Sequence, residues 1–180
     1  MGPQRDGVWR ETGILKEFPS EGAKVRWRVP IGAGYTGPAV AGGKVYVLDR
    51  QKPDSTTGFR DPFQRGSIPG SERILCLNEF NGEILWKLEY NCPYTMSYPA
   101  GPRATPVVNN GKVFALGAEG NLFCLDAAKG TKLWSHEFKK EYGLDTPLWG
   151  FSASPLLDGQ KLISLVGGEG STVVAFDKDT

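Results

Sequence analysis

Short apolar runs, each closed by glycine, asparagine or aspartate, recur along the chain, and no stretch shows the three-to-four spacing of an amphipathic helix. The clearest set is Thr105-Pro106-Val107-Val108, Lys112-Val113-Phe114-Ala115-Leu116, Leu122-Phe123-Cys124-Leu125-Asp126 and Lys132-Leu133-Trp134. An earlier copy reads Gly37-Pro38-Ala39-Val40, Lys44-Val45-Tyr46-Val47-Leu48, Ile74-Leu75-Cys76-Leu77-Asn78 and Ile84-Leu85-Trp86. A later copy opens on Ser154-Pro155-Leu156-Leu157 and runs through Lys161-Leu162-Ile163-Ser164-Leu165 to Val173-Val174-Ala175-Phe176-Asp177. Turn signals such as Asn109-Asn110-Gly111 and Glu119-Gly120-Asn121 separate the runs, so each copy predicts a four-stranded antiparallel meander. In the middle copy the strands fall near 105–108, 112–116, 121–126 and 132–138. Four-stranded units repeated every 40 to 50 residues or so predict an all-β chain made of β-propeller blades.

The sharpest local signal joins the third and fourth strands: Asn78-x-x-x-Gly82-x-x-x-Trp86 and Asp126-x-x-x-Gly130-x-x-x-Trp134, with Asp177 starting the same motif again. An Asx side chain bonds the turn backbone, glycine supplies a positive φ, and an indole four residues on can cap the outer strand and pack on a neighbouring blade. Trp27, between Val25 and Val29, reads as the last strand of a further copy. The expected organisation is an extended segment over 1–23 and an outer strand at 24–29, then a blade over 37–90 interrupted by an insertion at 50–72. A second blade over 105–138 and a partial one over 154–180 follow. A propeller closes with roughly four to eight blades. About three are present here, which predicts an incomplete ring with exposed apolar blade faces and a chain that is sticky, oligomeric or marginally stable alone.

Composition agrees with many short strands: 24 glycines and 13 prolines stand beside 39% hydrophobic and 11% aromatic residues, too apolar for a disordered chain. Twenty-one basic and 20 acidic residues are interspersed, which argues against a nucleic-acid surface. No apolar run approaches the roughly 18 residues of a membrane helix, and the opening residues resemble no signal peptide. Cys76, Cys92 and Cys124 are widely spaced and odd in number, fitting neither a disulfide framework nor a metal knuckle. Cys76 and Cys124 hold the same place in successive copies and read as small buried strand residues. His136, the single histidine, reads as structural or surface and excludes a multi-histidine metal site within this chain.

The turn motif, of the form Ala-x-Asp-x-x-Thr-Gly-x-x-x-Trp, resembles the repeat of the pyrroloquinoline-quinone (PQQ) like β-propellers, a superfamily that holds quinoprotein alcohol dehydrogenases and BamB-like proteins. The similarity covers about residues 24–180, and Gly2-Pro3-x-Arg5-Asp6-Gly7 with Glu11-Thr12-Gly13-Ile14-Leu15 resembles the start of bacterial PQQ-binding-like repeat proteins. Such proteins have seven or eight blades and are exported, so the resemblance implies a periplasmic or secreted protein of which this chain is an N-terminal part. The dehydrogenases of the superfamily hold the quinone against a disulfide of adjacent cysteines, with Ca²⁺ on Glu, Asn and Asp. No adjacent cysteines occur here, so no cofactor is expected in this fragment; PQQ with calcium in the complete protein is the alternative.

With the first strand of each blade innermost, long connections near 30–36, 50–72, 90–104 and 139–153 share one face, where binding is expected. Tyr35 and Thr36, then Tyr94, Tyr98 and Arg103, then Trp149, Phe151 and Ser152 precede the inner strands and are the candidates to line a central funnel. Aromatics with one arginine suit a planar, anionic or sugar-like ligand, or a protein partner. The proline-bearing insertion, with Phe59 and Phe63, is a candidate lid. Gly32-x-Gly34-x-x-Gly37 matches a dinucleotide fingerprint in letters only, because no βαβ unit surrounds it, and Gly167-Gly168-Glu169-Gly170-Ser171 reads as a hairpin loop. Asp54, Asp61, Glu119 and Glu169 lack the spacing of a calcium loop and read as solvated carboxylates. The expectation is a non-catalytic scaffold binding a protein or polymer partner on the long-loop face, completed by further blades. Its alternative is a quinone-dependent oxidation of an alcohol or sugar.

Overall fold

A computed structural model describes residues 8, 10, 12–53, 61 and 63–180; the opening motif at 2–7, Asp54 and Phe59 lie outside them. The first four strands, β1 (Ala39–Ala41), β2 (Lys44–Gln51), β3 (Ser71–Asn78) and β4 (Ile84–Asn91), pair antiparallel in sequence order as one blade. The second blade repeats the order with β5 (Val107–Asn109), β6 (Lys112–Leu116), β7 (Asn121–Asp126) and β8 (Lys132–Glu137). A third sheet contains β9 (Leu156–Asp158), β10 (Lys161–Leu165) and β11 (Val173–Asp177). The chain is nearly all β. One turn of helix, α1 (Phe138–Glu141), ends β8 a residue earlier than the apolar pattern suggests and buries Phe138.

Alternation along the strands explains how the blades stack, because successive side chains point to opposite faces. Tyr46, Leu48, Ile74 and Cys76 on one face of the first blade meet Val113, Ala115, Phe123 and Leu125 of the second. The opposite face of the second blade, Phe114, Leu116, Leu122 and Cys124, meets Leu157, Leu162 and Phe176 of the third. Each fully buried side chain of this size contributes roughly 1.5–3 kcal/mol, so the blade interfaces carry the fold. On the far side of the first blade, Val47, Leu75 and Leu77 are covered by Val29.

Residues 24–29, expected as an outer strand, pair with no strand among the described residues, because no neighbouring strand lies beside them to exchange backbone hydrogen bonds. Side-chain docking holds the segment instead. Trp27 Nε1 donates to the Glu79 carbonyl at 2.8 Å, and its indole lies over Gly82. The third blade leaves its far face open, with Leu156, Leu165 and Val173 exposed.

The glycines of the 32–37 motif serve close packing. A Cβ on Gly32 would stand 2.2 Å from the Arg50 carbonyl oxygen, and the neighbouring Ala33 bridges to Arg50. Gly167–Ser171 closes the β10–β11 hairpin through the Val166 N–H to Thr172 carbonyl bond, 3.1 Å.

Candidate functional site

Three segments that each lead into the first strand of a blade converge on one cavity. Tyr35 comes from the segment before β1, Tyr98 and Arg103 from the β4–β5 connection, and Trp149 and Ser152 from the segment after α1. Together they line about 270 Å³. Tyr98 and Trp149 stack at 5.2 Å between centroids, and Phe63 of the insertion stands edge-on to both, at 5.6 and 5.9 Å. Tyr35, Tyr98 and Trp149 are 54%, 37% and 49% exposed, so the rings form an open mouth.

Arg103 shapes this mouth from behind. Its Nη1 donates to the Gly101 carbonyl at 2.6 Å, and its Nη2 to those of Ser97 and Tyr98 at 3.1 and 2.6 Å. The guanidinium also lies over the Tyr35 ring at 5.2 Å, and burial lowers its pKa. These bonds brace Tyr98 at a φ of 51°, a left-handed conformation unusual for a bulky residue. The loop is further tied by the Ser97 N–H to Leu148 carbonyl bond, 2.9 Å, and by Ser97 Oγ to the Phe63 carbonyl, 3.2 Å. The insertion is anchored over the same loops: Arg65 donates to the carbonyls of Thr95 and Thr146 at 3.0 and 2.7 Å.

Three sequence candidates sit elsewhere. Phe151 is buried between blades against Phe138 and Gly120, because its apolar ring completes the core instead of the mouth. Thr36 turns its hydroxyl onto the Leu48 carbonyl, 3.1 Å, and Tyr94 is fully buried with its hydroxyl on Glu72. Glu119, expected as a solvated loop carboxylate, is buried. It accepts from the Thr95 N–H at 2.6 Å, from Lys139 Nζ at 2.7 Å and from the Thr146 hydroxyl, beside a second cavity of about 220 Å³. Asp61 caps the turn at Phe63, and Glu169 is exposed. His136 bonds Glu141 at 2.7 Å and lies on the Phe176 ring.

A buried network escaped the sequence reading. Glu72 accepts from the hydroxyls of Tyr90 and Tyr94 and from the Ala118 N–H, tying the first blade to the second. Burial pushes its pKa up, and the two hydroxyls pull it part of the way back. Arg50 lies 3.4 Å over the Tyr94 ring and donates to the carbonyls of Cys92 and Ile68, 3.1 and 2.8 Å. The available signal was cross-strand: Asp49 opposes Arg73 and Arg50 opposes Glu72 at the blade end that bears the insertion.

The turn motif acts between blades. Asn78 Oδ1 accepts from the Phe80 N–H at 2.7 Å, Asp126 Oδ1 from that of Ala128 at 2.9 Å, and Asp177 Oδ1 from that of Asp179 at 2.8 Å. Trp86 and Trp134 then donate to the Ala127 and Lys178 carbonyls of the following blade.

The quinone and calcium implied by the resemblance need a metal-ligating carboxylate and amide set beside a cysteine pair. Among the described residues no three His, Cys, Asp or Glu side chains gather as ligands, and Cys76, Cys92 and Cys124 are free, buried and far apart in sequence. Glu72 and Glu119 spend their oxygens on protein donors. These residues do not fit the group. No helix among the described residues is long and apolar enough to cross a membrane.

Stacked four-stranded blades joined by repeated indole contacts, with an aromatic mouth where their long connections meet, define a β-propeller of the PQQ-like repeat class. The chain belongs to the family described as outer membrane protein assembly factor BamB, whose profile matches residues 70–180. Among solved structures it is similar to BamB from Moraxella catarrhalis, with 19% identity and a TM-score of 0.59, over 89% of this chain and 42% of that one. A europium-containing methanol dehydrogenase matches with 21% identity and a TM-score of 0.52, over 83% of this chain and 24% of its own. A quinohemoprotein alcohol dehydrogenase from Comamonas testosteroni matches with 16% identity and a TM-score of 0.51, over 85% and 21%. The chain thus spans less than half the length of each of these structures. A search of curated proteins finds no match.

Proposed function

We propose that this chain is part of a non-catalytic PQQ-like β-propeller scaffold that binds a protein or polymer partner at the long-loop face of an exported bacterial protein, periplasmic or secreted. The observation that carries this reading is the mouth formed by Tyr35, Tyr98, Trp149 and Ser152, which is aromatic, open and braced from behind by Arg103. Half-exposed aromatic rings on a rigid support are the residues that dominate binding energy at protein interfaces. Membership of the BamB family supports the same reading.

The alternative is a quinone-dependent dehydrogenase of an alcohol or sugar, supported by the likeness to two such enzymes. Two measurements on the complete protein separate them. Alanine substitutions of Tyr98 and Trp149 should weaken partner capture without unfolding the protein, whereas capture unchanged by both would reject the mouth. Saturable binding of PQQ in the presence of Ca²⁺, near one equivalent, would instead favour the dehydrogenase.

A further inference from the structure

We infer that the mouth binds a proline-rich segment of a partner protein in the polyproline II conformation. The inference rests on the reading of this face as a partner-binding surface and supplies its chemistry. Three of the four described tryptophans, Trp27, Trp86 and Trp134, each spend the indole N–H on a backbone carbonyl of the next blade. Trp149 differs: its N–H has no acceptor among the described residues, and its ring is half-exposed and stacked on Tyr98. The hydroxyls of Tyr35, Tyr98 and Ser152 likewise have no partner among the described residues. The mouth therefore offers flat apolar rings edged by side-chain donors.

Other ligand chemistries fit less well. An anion would need the guanidinium, yet both terminal nitrogens of Arg103 are committed to carbonyls. A sugar presents many hydroxyl donors that each need an acceptor, and the only side-chain acceptors in the lining are the hydroxyl oxygens of Tyr35, Tyr98 and Ser152. A β-strand added in register needs backbone donors and acceptors, but the local N–H groups are already used: Tyr35 on Pro102, Ser97 on Leu148 and Ala100 on Tyr98. A polyproline II segment has the complementary pattern. Its pyrrolidine rings lie flat on aromatic faces, and its carbonyls, bonded to nothing within the helix, accept from an indole N–H and from hydroxyls.

The test titrates the full chain with an oligoproline peptide of about nine residues, three turns of that helix, and follows the indole N–H resonances. Saturable binding that shifts the Trp149 signal is expected. Trp149→Phe, which keeps a ring and removes the donor, should weaken binding about three- to tenfold, the equivalent of one hydrogen bond. Trp149→Ala should weaken it more, while Phe80→Ala, on an exposed turn far along the chain, should leave it unchanged. The inference is overturned if oligoproline does not bind the folded chain or binds Trp149→Ala equally well. Preference for a cello-oligosaccharide, an acidic peptide or a proline-free extended peptide would also overturn it. If oligoproline fails while Trp149→Ala still abolishes partner capture by the complete protein, only the polyproline assignment falls. If neither readout responds to Trp149→Ala, the partner-binding reading falls with it.

Discussion

The indole Nε1 of Trp86 donates to the carbonyl oxygen of Ala127, 3.2 Å away in the next blade, and the same ring lies over Gly130 of that blade. Trp27 stands in this relation to Glu79 and Gly82, and Trp134 to Lys178. The acceptor is each time the residue after the Asx of the turn, so one motif supplies both halves of the joint: the indole at its end and the carbonyl and glycine at its start. Tyr46 reinforces the first joint by donating to Ala127 as well, at 3.2 Å, and burial raises its hydroxyl to about 12.

The joint predicts unequal costs for two glycine substitutions. Gly130 and Gly111 have nearly equal positive φ, 71° and 73°, but a Cβ on Gly130 would stand 2.6 Å from the Trp86 ring while one on Gly111 meets nothing within 4 Å. Gly111→Ala should therefore cost only the backbone strain, roughly 1–2 kcal/mol. Gly130→Ala should cost clearly more in urea unfolding. Equal losses would mean that the indole moves aside freely.

Glu72 predicts a pH dependence of known sign. Its folded pKa lies above the ordinary 4.5, chiefly through burial, so the folded state holds this proton more tightly than the unfolded chain. Stability from this group is complete below about 4.5 and declines as pH rises towards the raised value. Facing it are Tyr90, Tyr94, the Ala118 N–H and the Arg50 guanidinium. Glu72→Gln should remove this decline, so its urea midpoint should gain on wild type as pH rises above 4.5. Parallel profiles would exclude Glu72 as the titrating group.

Blade strands were legible in the sequence because the strands within the blade stack are buried on both faces, so they read as short continuous apolar runs closed by glycine, asparagine or aspartate. The turn motif was legible because Asx, Gly and Trp each meet a distinct demand at a fixed spacing. The mouth was legible in part: Tyr35, Tyr98, Arg103, Trp149 and Ser152 precede inner strands, and topology alone brings such positions together. What topology cannot say is which way a loop side chain turns. Phe151 precedes an inner strand as Tyr98 does, yet it fills a gap between blades beside Phe138. The role of Arg103 was likewise hidden, since its carbonyl partners belong to a loop conformation that no periodicity encodes.

Arg103 should prove a positioning residue. Its bonds to the Gly101, Ser97 and Tyr98 carbonyls tie together both sides of the turn that holds Tyr98 at a positive φ, adding to the Ala100 N–H bond to the Tyr98 carbonyl. Arg103→Met, which keeps much of the apolar stem, should speed hydrogen exchange at residues 97–101 while leaving amides of β6 and β7 protected. Unchanged exchange in that loop would show that packing, not the guanidinium, fixes it.

The far face of the third blade makes the last prediction. Ile163, Leu165, Val173 and Ala175 occupy the repeat positions that Phe114, Leu116, Leu122 and Cys124 hold in the second blade, where the third blade covers all four completely. In the third blade Leu165 and Val173 remain 54% and 59% exposed. A face patterned for burial and left open favours association, because covering apolar area returns about 25 cal/mol per Å². The 180-residue chain should therefore self-associate in sedimentation velocity as its concentration rises. Leu165→Glu with Val173→Lys should suppress that association without lowering the melting temperature appreciably, since neither side chain supports the chain's own core. Association unchanged by the pair would place the contact on another surface.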